Sequence, residues 1–420
     1  MKHAKQVEVL RELFRQLDEN VNVDAGEQLL NPVDVYTSST IAQREWQTLF
    51  RQQPQVIGLS QDLPQSGSYI TVDDFGVPVL ATRDTNGKLR TFVNACSHRG
   101  ARVAGERRGR RDRFTCPFHA WTYSGEGELL RIPRAGDFGE LDKRYHGLRE
   151  LPGLERDGLL WVQPDPQGRL DGEPLPGSLG TELAAFGIGE MVYQGESTID
   201  MPLNWKLAND TFGETYHFSR LHHDTLGQLF YGDVLAYEEL ERNHRFVIAS
   251  RDIEDLRDLP ETEWQLLDGA LEVYFLFPNI QLTVSRLGAN LVRIYPDGTN
   301  PGRSVSRISF YLRPAVVDAL ARAGGSAVDA SNTYDHNARH GTDVIAPEAT
   351  MEIFRSTIEQ EDYAMGVDTQ RAAESGLIDH LIFGRNEPAL HHFHRCFSEA
   401  LGLSPPQVLT APVSQHAVAS

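Results

Sequence analysis

The chain has 420 residues, and a span of roughly 100–200 residues per domain predicts two or three domains. Hydrophobic residues make up 40% of the chain, yet no apolar run approaches the ~18–20 residues of a membrane span, which excludes a membrane-spanning protein. The formal charge of −19 argues against a nucleic-acid-binding protein, and the charged N-terminal segment is no secretory signal, so we expect a cytoplasmic location.

The first predicted element is an amphipathic helix over residues 6–18, where apolar side chains recur near helical spacing. From Gln55 to Pro164, short apolar runs alternate with turn sequences, which predicts a small antiparallel β-domain. The Pro- and Gly-rich stretch 164–180 then predicts a linker. We therefore place the main domain boundary in that stretch.

Beyond the linker, helices are predicted around 204–218, 350–375 and 387–402, and strands over 271–313. A sheet with helices gathered against it indicates an α+β layout. A long loop is expected at 322–345 and a poorly ordered tail after Leu403. The predicted division is a helical segment at 1–50 that packs on the last domain, the β-domain at 51–165, the last domain at 166–405, and a tail at 406–420.

Two short motifs in the predicted β-domain offer metal ligands. Cys96 and His98 are followed, after 17 residues, by Cys116 and His119, and each pair ends a predicted strand. Two thiolates and two imidazoles suit a [2Fe–2S] cluster, and they also suit a structural zinc ion. The usual zinc finger groups Cys with Cys and His with His, so the mixed pairs favour the cluster.

The strings CSHRGARV (96–103) and CPFHAWTY (116–123) resemble the Rieske domain of ring-hydroxylating oxygenases. One departure is Ala120, where Gly is usual after the second histidine. We expect its methyl group to shift the packing slightly without removing a ligand.

A second cluster of ligand-type residues lies within 204–223. On a helix, Glu214 and His217 share a face, whereas His217 and His222 are about 140° apart. The two histidines therefore converge on one metal only if the helix ends or bulges between them. Geometry alone does not choose between His222 and His223.

The pattern N-W-K-x6–7-[DE]-x2-H-x4-H is similar to the catalytic motif of the same oxygenases, which implies His217 and His222 as ligands of a mononuclear Fe(II). In that family a carboxylate from the C-terminal part completes a 2-His-1-carboxylate triad, and we assign Asp362 to this role. Asp362 lies on one helical stripe with Phe354, Ile358 and Met365, where an unpaired carboxylate would be costly. Glu359 and Glu361 fit a surface position better.

The same resemblance implies a catalytic role for Glu214, as the acid that links a Rieske histidine of the neighbouring subunit to an iron ligand. Asp is more usual at this position, so the longer Glu leaves the geometry of the link open. We also expect Asp210, with Asn209, to border the substrate pocket.

Three further features have simpler interpretations. The arginines between 107 and 113 form either a solvated hairpin or a docking patch for an acidic electron donor. His391, His392 and His394 are expected to pack or hydrogen-bond on a terminal helix, and Cys396 to be a small buried side chain. Neither a G-x-G-x-x-G motif after a strand nor a P-loop is found, so electrons must come from another protein.

Together the motifs resemble the catalytic large subunit of a Rieske non-haem iron oxygenase. The resemblance implies an α+β fold with a small antiparallel Rieske domain and a helix-grip-like catalytic domain, whose central antiparallel sheet is flanked by helices. The expected cofactors are a [2Fe–2S] Rieske cluster and a mononuclear Fe(II), with NAD(P)H acting only through a separate reductase. A cyclic trimer, alone or with a small β subunit, would bring Glu214 close to His98 or His119 of the next chain.

The expected partners are an organic substrate, O2, and a ferredoxin or flavin reductase as electron donor. The substrate stays open: the resemblance favours an aromatic acid, hydroxylated or cis-dihydroxylated on its ring, while a demethylase or monooxygenase of an amine or ether is an alternative. A non-catalytic Rieske electron carrier is the alternative from another class, and a zinc-stabilised binding protein is more distant.

Overall fold

The computed structural model describes residues 1–170, 172–322 and 347–409. Except for its first residue, the loop expected at 322–345 lies outside the described residues, as does the part of the expected tail from residue 410 onward. No helix within the described ranges is long and apolar enough to cross a membrane.

The α-helices of the described ranges are α1 (His3–Glu19), α2 (Asp34–Thr37), α3 (Ser39–Glu45), α4 (Gly177–Ala185), α5 (Trp205–Asp210), α6 (Leu266–Gly269), α7 (Pro314–Arg322), α8 (Pro347–Thr357), α9 (Tyr363–Glu374) and α10 (Pro388–Leu401). Two π-helical turns follow α3 and α8, at Trp46–Arg51 and Ile358–Asp362. Shorter 3-10 helices occur at Ser60–Asp62, Ala135–Phe138, Lys143–Tyr145, Ile188–Glu190, Tyr216–Ser219, Leu226–Gln228, Arg251–Asp258 and Glu261–Glu263.

The strands are β1 (Leu29–Pro32), β2 (Gln55–Leu59), β3 (Ser68–Val72), β4 (Val79–Arg83), β5 (Leu89–Val93), β6 (Arg108–Arg110), β7 (Arg113–Thr115), β8 (Thr122–Ser124), β9 (Leu129–Arg131), β10 (Glu150–Leu151), β11 (Gly153–Arg156), β12 (Leu159–Val162), β13 (Val192–Met201), β14 (Phe230–Leu240), β15 (Asn243–Ser250), β16 (Ala270–Leu276), β17 (Ile280–Val284), β18 (Gly288–Asp297), β19 (Asn300–Leu312), β20 (His380–Phe383) and β21 (Gln407–Val408).

The smaller of two compact units comprises Trp46–Glu190. Its antiparallel sheets have the strand orders β10-β5-β4-β3-β6, β11-β12-β2 and β7-β8-β9. Tight turns join the short strands; in one of them, the Asp84 carboxylate accepts hydrogen bonds from the backbone N–H groups of Asn86 and Lys88, both at 2.8 Å. The predicted antiparallel β-domain is confirmed.

The larger unit comprises Met1–Glu45 and Met191–Ser420. Its main sheet is antiparallel, in the order β13-β19-β18-β17-β16-β15-β14, and a second small sheet has the order β20-β1-β21. The apolar stripe of α1 packs with Val247 and Ala249 on one face of the main sheet. Because side chains alternate along a strand, Phe246 and Ile248 point to the opposite face. The predicted α+β class, with a central antiparallel sheet and flanking helices, is confirmed.

The structure differs from the sequence-based boundaries in three places. Residues 166–190, which we expected in the last domain, group with the smaller unit, because Ile188–Glu190 packs against Ser60–Asp62. Strands β13 to β15 were not predicted, and β21 lies in the expected tail, where it pairs with β1.

The helix predicted over 204–218 is also shorter than expected, because α5 ends at Asp210. Gly213 then approaches Leu390 so closely that a Cβ at position 213 would lie 2.5 Å from the Leu390 side chain. This packing draws the chain out of the helical path before it reaches His217.

Candidate metal centres and substrate cavity

Cys96 and Cys116 begin two loops with the same hydrogen-bond pattern. The Cys96 N–H donates to the Ala101 carbonyl at 2.8 Å, and the Gly100 N–H donates back to the Cys96 carbonyl at 2.8 Å. In the second loop, Cys116 N–H donates to Trp121 at 2.8 Å and Ala120 N–H to Cys116 at 2.9 Å. The two Cys-His pairs therefore lie on matching scaffolds.

Ala120 occupies the place in the second loop that Gly100 occupies in the first. Both residues have a left-handed backbone, with φ of 76° at Gly100 and 57° at Ala120. That region costs a residue with a Cβ roughly 1–2 kcal/mol. Ala120 is exposed, so its methyl group acts chiefly through the backbone and less through the packing that we expected to shift.

Two of the four ligand-type side chains, Cys96 and His119, each have a polar neighbour. Cys96 and Cys116 are buried, and the Tyr123 hydroxyl lies 3.1 Å from Cys96 Sγ. The rings of His98 and His119 have centroids 4.7 Å apart, and Arg99 donates to His119 Nε2 at 2.8 Å. Desolvation and the Arg99 cation lower the pKa of His119, which favours the neutral imidazole that metal coordination requires.

The zinc alternative can be tested against these positions. In a tetrahedral zinc site all four donor atoms lie within about 4 Å of one another. Among the described residues, the only set of three or more His, Cys, Asp or Glu donor atoms that converges within 4.8 Å is His217, His222 and Asp362. The Cys-His pairs do not converge on one point, which fits a two-iron cluster and disfavours a single zinc ion.

His217, His222 and Asp362 form the second candidate centre. Their donor atoms are separated by 3.1 Å (Nε2 of His217 to Nε2 of His222), 3.2 Å (His222 Nε2 to Asp362 Oδ1) and 3.3 Å (His217 Nε2 to Asp362 Oδ1). With metal bonds of about 2.1 Å, donors at 90° lie about 3.0 Å apart and donors at the tetrahedral angle about 3.4 Å apart. The three atoms thus fit one face of the coordination sphere of a divalent metal.

The segment 204–223 brings the two histidines together by leaving the helix early. His217 lies in the one-turn 3-10 helix Tyr216–Ser219, and a further turn leads to His222. This is the helix end that convergence requires. His223 is excluded by position, since its side chain is 70% exposed and pairs with Asp224.

The N-W-K motif anchors this segment instead of contributing ligands. Asn204 caps α5 by accepting from the Lys206 N–H at 2.9 Å, and its amide donates to the Pro301 carbonyl at 2.7 Å. The Trp205 indole donates to Glu45 at 2.7 Å, and the fully buried Lys206 ammonium pairs with the same carboxylate. The motif therefore ties α3 to α5.

Two further carboxylates hold the outer nitrogen atoms of the histidines. Glu214 Oε1 pairs with His217 Nδ1, and Glu214 Oε2 accepts from the His217 backbone N–H at 3.2 Å. Glu361 Oε2 lies 2.6 Å from His222 Nδ1 and accepts from the Thr225 hydroxyl at 2.9 Å. Each carboxylate accepts an Nδ1–H, which leaves the Nε2 lone pair free for a metal.

Glu361 corrects the expectation that it is a surface acid. It lies in the π-helical turn Ile358–Asp362, where the extra residue rotates the following helix. For the same reason the predicted apolar stripe ends early: Phe354, Ile358 and Asp362 are buried, but Met365 is 49% exposed. Helical periodicity supported the assignment of Asp362 and gave no signal for its neighbour.

The negative charges around the imidazoles favour a bound cation. Burial lowers the pKa of His217, but hydrogen bonds to Asp362 and Glu214 outweigh this effect and raise it to about 10. Burial raises the pKa of Asp362, yet its hydrogen bonds with His217 and His222 leave it below the ordinary value. Three carboxylates face the two imidazoles, and the negative charge that raises the pKa of His217 is one that a divalent metal would offset, so the donor set fits Fe(II).

A largely apolar cavity adjoins these three residues. Its floor is a row across three strands, because Phe246 pairs with Val273 and Val273 pairs with Thr283. Its phenylalanines are Phe212, Phe218, Phe230, Phe246 and Phe354. The sequence analysis did not predict the strands that carry Phe230 and Phe246, and so it missed both residues. The alternation of apolar and polar side chains that indicates a strand is hidden in residues 245–250, because both faces of β15 are apolar.

Asp210 and Asn209 lie away from the lining of this cavity. Asp210 Oδ2 accepts from the Tyr36 hydroxyl at 2.7 Å, and its Oδ1 lies 3.0 Å from His394 Nε2. Asn209 is buried and accepts from Gln281 at 3.0 Å. Asp210 therefore joins α5 to α2 and α10, and its contacts give it no direct approach to a substrate.

The remaining histidines of α10 and Cys396 are buried, as expected from the sequence. His392 Nε2 lies 2.7 Å from the Glu241 carbonyl and 3.4 Å from Cys396 Sγ, and its Nδ1 lies 3.2 Å from His244. His391 is 2% exposed and stacks near Phe383. These contacts pack α10 against its neighbours.

The arginine run between 107 and 113 is partly used within the smaller unit. Arg108 pairs with the buried Asp62 at 2.9 Å, and Arg111 pairs with Glu106 at 2.9 Å. Arg110 and Arg113 are exposed. The structural interpretation of the run thus accounts for two of its members.

Comparisons with known proteins match the two parts of the chain that contain these residues. A family model described as the catalytic domain of the ring hydroxylating alpha subunit matches residues 188–402, and a Rieske [2Fe-2S] domain model matches residues 53–149. The chain is 30% identical to the anthranilate 1,2-dioxygenase large subunit of Acinetobacter baylyi over 197 residues, and 29% identical to a glycine betaine monooxygenase oxygenase subunit of Chromohalobacter salexigens over 199 residues. These matches cover 46% and 47% of this chain but only 42% and 44% of the relatives, so the chain spans less than half of their length.

Solved structures resemble the chain over a longer range. The quaternary ammonium Rieske monooxygenase CntA in complex with L-carnitine has a TM-score of 0.69 at 18% identity, over 90% of this chain and 96% of that one. Naphthalene 1,2-dioxygenase from Rhodococcus sp. has a TM-score of 0.65 at 17% identity, over 94% and 98%. At these identities the likeness concerns the fold.

Proposed function

The chain belongs to the family of ring-hydroxylating alpha subunits, and from this premise we propose that it is the oxygenase component of a Rieske non-haem iron oxygenase. The proposed reaction inserts oxygen from O2 into an organic substrate. Cys96, His98, Cys116 and His119 would hold a [2Fe–2S] cluster, and His217, His222 and Asp362 would hold a mononuclear Fe(II).

One observation carries the proposal. The three donor atoms of His217, His222 and Asp362 lie 3.1–3.3 Å apart and border an apolar cavity. When bound, iron in such a triad keeps open coordination positions for oxygen chemistry, and a Rieske cluster supplies single electrons. A structural metal would need neither open positions nor a cavity.

The residues of the chain have three tasks in this function. Glu214 and Glu361 accept the Nδ1 protons of His217 and His222 and so fix both rings with Nε2 towards the metal position. Asp362 supplies the anionic ligand beside the two Nε2 atoms. The phenylalanines of the cavity exclude water and hold the substrate against the triad.

We further propose that electrons arrive from a ferredoxin or flavin reductase and that the chain assembles as a cyclic trimer, alone or with a small β subunit. In the trimer, Glu214 would face His98 or His119 of the next chain. Phe118, which adjoins His119 and is 57% exposed, would then be covered by the next chain. A cytoplasmic location remains a prediction from the sequence.

Iron content and oxygen uptake of the full chain test the proposal. We expect about three irons per chain, a Rieske absorption spectrum, and oxygen uptake that depends on substrate and reductase. Asp362→Ala should keep the Rieske spectrum and two irons while losing the third iron and the uptake. Asp368→Ala, an exposed residue on α9 paired with Arg371, serves as the matched control.

Two results would decide against the oxygenase. A chain with only two irons and no turnover would be an electron carrier, and a colourless zinc protein would rule out both iron centres. A fully active monomer would separately refute the trimer.

A further inference from the structure

The described lining of the cavity beside His217, His222 and Asp362 contains few charged side chains. Among the described residues that line it, none is a lysine or an arginine. The acidic groups among the same described residues are Glu214 and Asp362, both hydrogen-bonded to the imidazoles. The described part of the lining therefore offers an anionic substrate no cationic side chain other than the two metal-site histidines.

This lining contrasts with the charge of the compounds for which the relatives found by comparison are named. Anthranilate, 2-halobenzoate, terephthalate, glycine betaine and carnitine, for which those relatives are named, all carry a carboxylate. A carboxylate buried among phenylalanines without a partner pays its full desolvation cost. Sites that recognise carboxylates supply a basic side chain for this reason.

A cationic substrate also fits poorly. Aromatic side chains can bind an ammonium group through their ring faces, with Trp the strongest and Phe available as well. The described lining contains five phenylalanines and neither Trp nor Tyr. Both carboxylates of the described lining already face the imidazoles, so neither is left to pair with a cationic substrate.

Two neutral polar groups remain. The Thr283 hydroxyl on β17 and the Thr357 hydroxyl at the end of α8 line the cavity and have no hydrogen-bond partner among the described residues. Each can donate or accept one hydrogen bond. They suit a hydroxyl, ether or carbonyl substituent on an otherwise apolar molecule.

From these observations, and resting on the proposed oxygenase function, we infer that the substrate is an uncharged, largely apolar ring compound without a carboxylate. The row Phe246, Val273 and Thr283 supports the ring, and the triad lies at the end where it is oxidised. The aromatic acid favoured by family resemblance is replaced by a neutral substrate.

Binding of three compounds that share one ring tests this inference: toluene, benzoate and benzyltrimethylammonium. Affinity is measured on the iron-loaded full chain, without turnover, from the change each compound causes in the spectrum of the ferrous nitrosyl centre. We expect toluene to bind at least tenfold more tightly than either ion. Thr283→Lys should reverse the order of toluene and benzoate, while Thr369→Lys, on the surface of α9, should leave it unchanged.

The ranking on the unaltered protein decides the matter even if Thr283→Lys does not fold. Benzoate binding as tightly as toluene would overturn the inference, and a preference for benzyltrimethylammonium would show a cation site instead. Oxygen uptake with a charged substrate only would also overturn it while leaving the oxygenase intact. Selective toluene binding without oxygen uptake would support the inference and refute the proposed function.

Discussion

Replacing Glu361 should weaken the mononuclear iron site without touching a ligand. Its carboxylate lies 2.6 Å from His222 Nδ1, is 25% exposed, and also accepts from Thr225 at 2.9 Å. The next residue, Asp362, contacts the other nitrogen of the same ring at 3.2 Å. The imidazole is therefore held between two adjacent carboxylates, and only one of them is a proposed ligand.

The size of the effect follows from the kind of contact. Removing a carboxylate that orients a metal-bound histidine typically costs 10–100-fold in metal affinity, or about 1.4–2.7 kcal/mol. Glu361→Gln keeps an oxygen acceptor but loses the charge, so we expect a loss of about tenfold. Glu361→Ala also leaves Nδ1 and the Thr225 hydroxyl without this acceptor, so its loss should approach a hundredfold.

The assay is competition for iron between the purified chain and a calibrated chelator, with total iron measured before and after. The visible Rieske spectrum reports the two cluster irons separately and should not change. Glu359 provides the matched control, since it lies in the same π turn but pairs with Arg355. Glu359→Ala should hold its mononuclear iron like the unaltered protein.

If Glu361→Ala lost no more iron to the chelator than Glu359→Ala, Glu361 would not orient His222. An unchanged nitrosyl spectrum of the ferrous centre in Glu361→Ala would lead to the same conclusion, because a displaced ring must alter that spectrum.

Two predictions concern the smaller unit. Ala120→Gly should stabilise it by about 0.5–1 kcal/mol, since relief of the left-handed strain exceeds the entropy that glycine adds to the unfolded chain. Gly100→Ala, with open space around its Cβ, should destabilise it by a similar amount. The two variants should therefore shift the thermal unfolding midpoint in opposite directions. Burial raises the pKa of Glu155, but hydrogen bonds from Arg83 and Ser60 outweigh it and leave the pKa below its ordinary value. A carboxylate whose pKa is lowered in the folded state stabilises that state above its unfolded pKa of about 4.3, and this stability is lost as the pH falls. Glu155→Gln should therefore destabilise the chain at pH 7 and make its stability less sensitive to acid. Urea unfolding at pH 7 and pH 4 checks this, and an equal loss of stability between the two pH values in both proteins would contradict it.

Local sequence spacing predicted the cluster loops well, because each Cys-His pair lies within one turn and needs no long-range contact. Asp362 was assigned from the family resemblance, and helical periodicity, which holds through α8 as far as the π turn, supported the assignment. Beyond that turn the same periodicity failed at Met365. A π turn depends on how the helix packs, and single-residue propensities carry no signal for it.

The cavity could not be predicted for a different reason. Its floor depends on the register between β15, β16 and β17, which pairs Phe246, Val273 and Thr283 across residues far apart in the sequence. The strands that supply Phe230 and Phe246 also went unpredicted. The expected substrate therefore rested on resemblance alone, whereas the neutral substrate that we infer rests on the described lining of the cavity.

The two histidines of the triad owe their orientation to contacts of different range. Glu214 precedes His217 by three residues, so that pair can form within one turn of chain. His222 instead depends on Glu361 and Asp362, which lie some 140 residues later and arrive together on the same π turn. Without α8 and α9 in place, the segment 204–223 would therefore hold one oriented histidine, and an isolated imidazole binds iron weakly. Docking of the π turn supplies the third ligand and the second orienting carboxylate in a single step, so iron affinity and the packing of α8–α9 are thermodynamically linked.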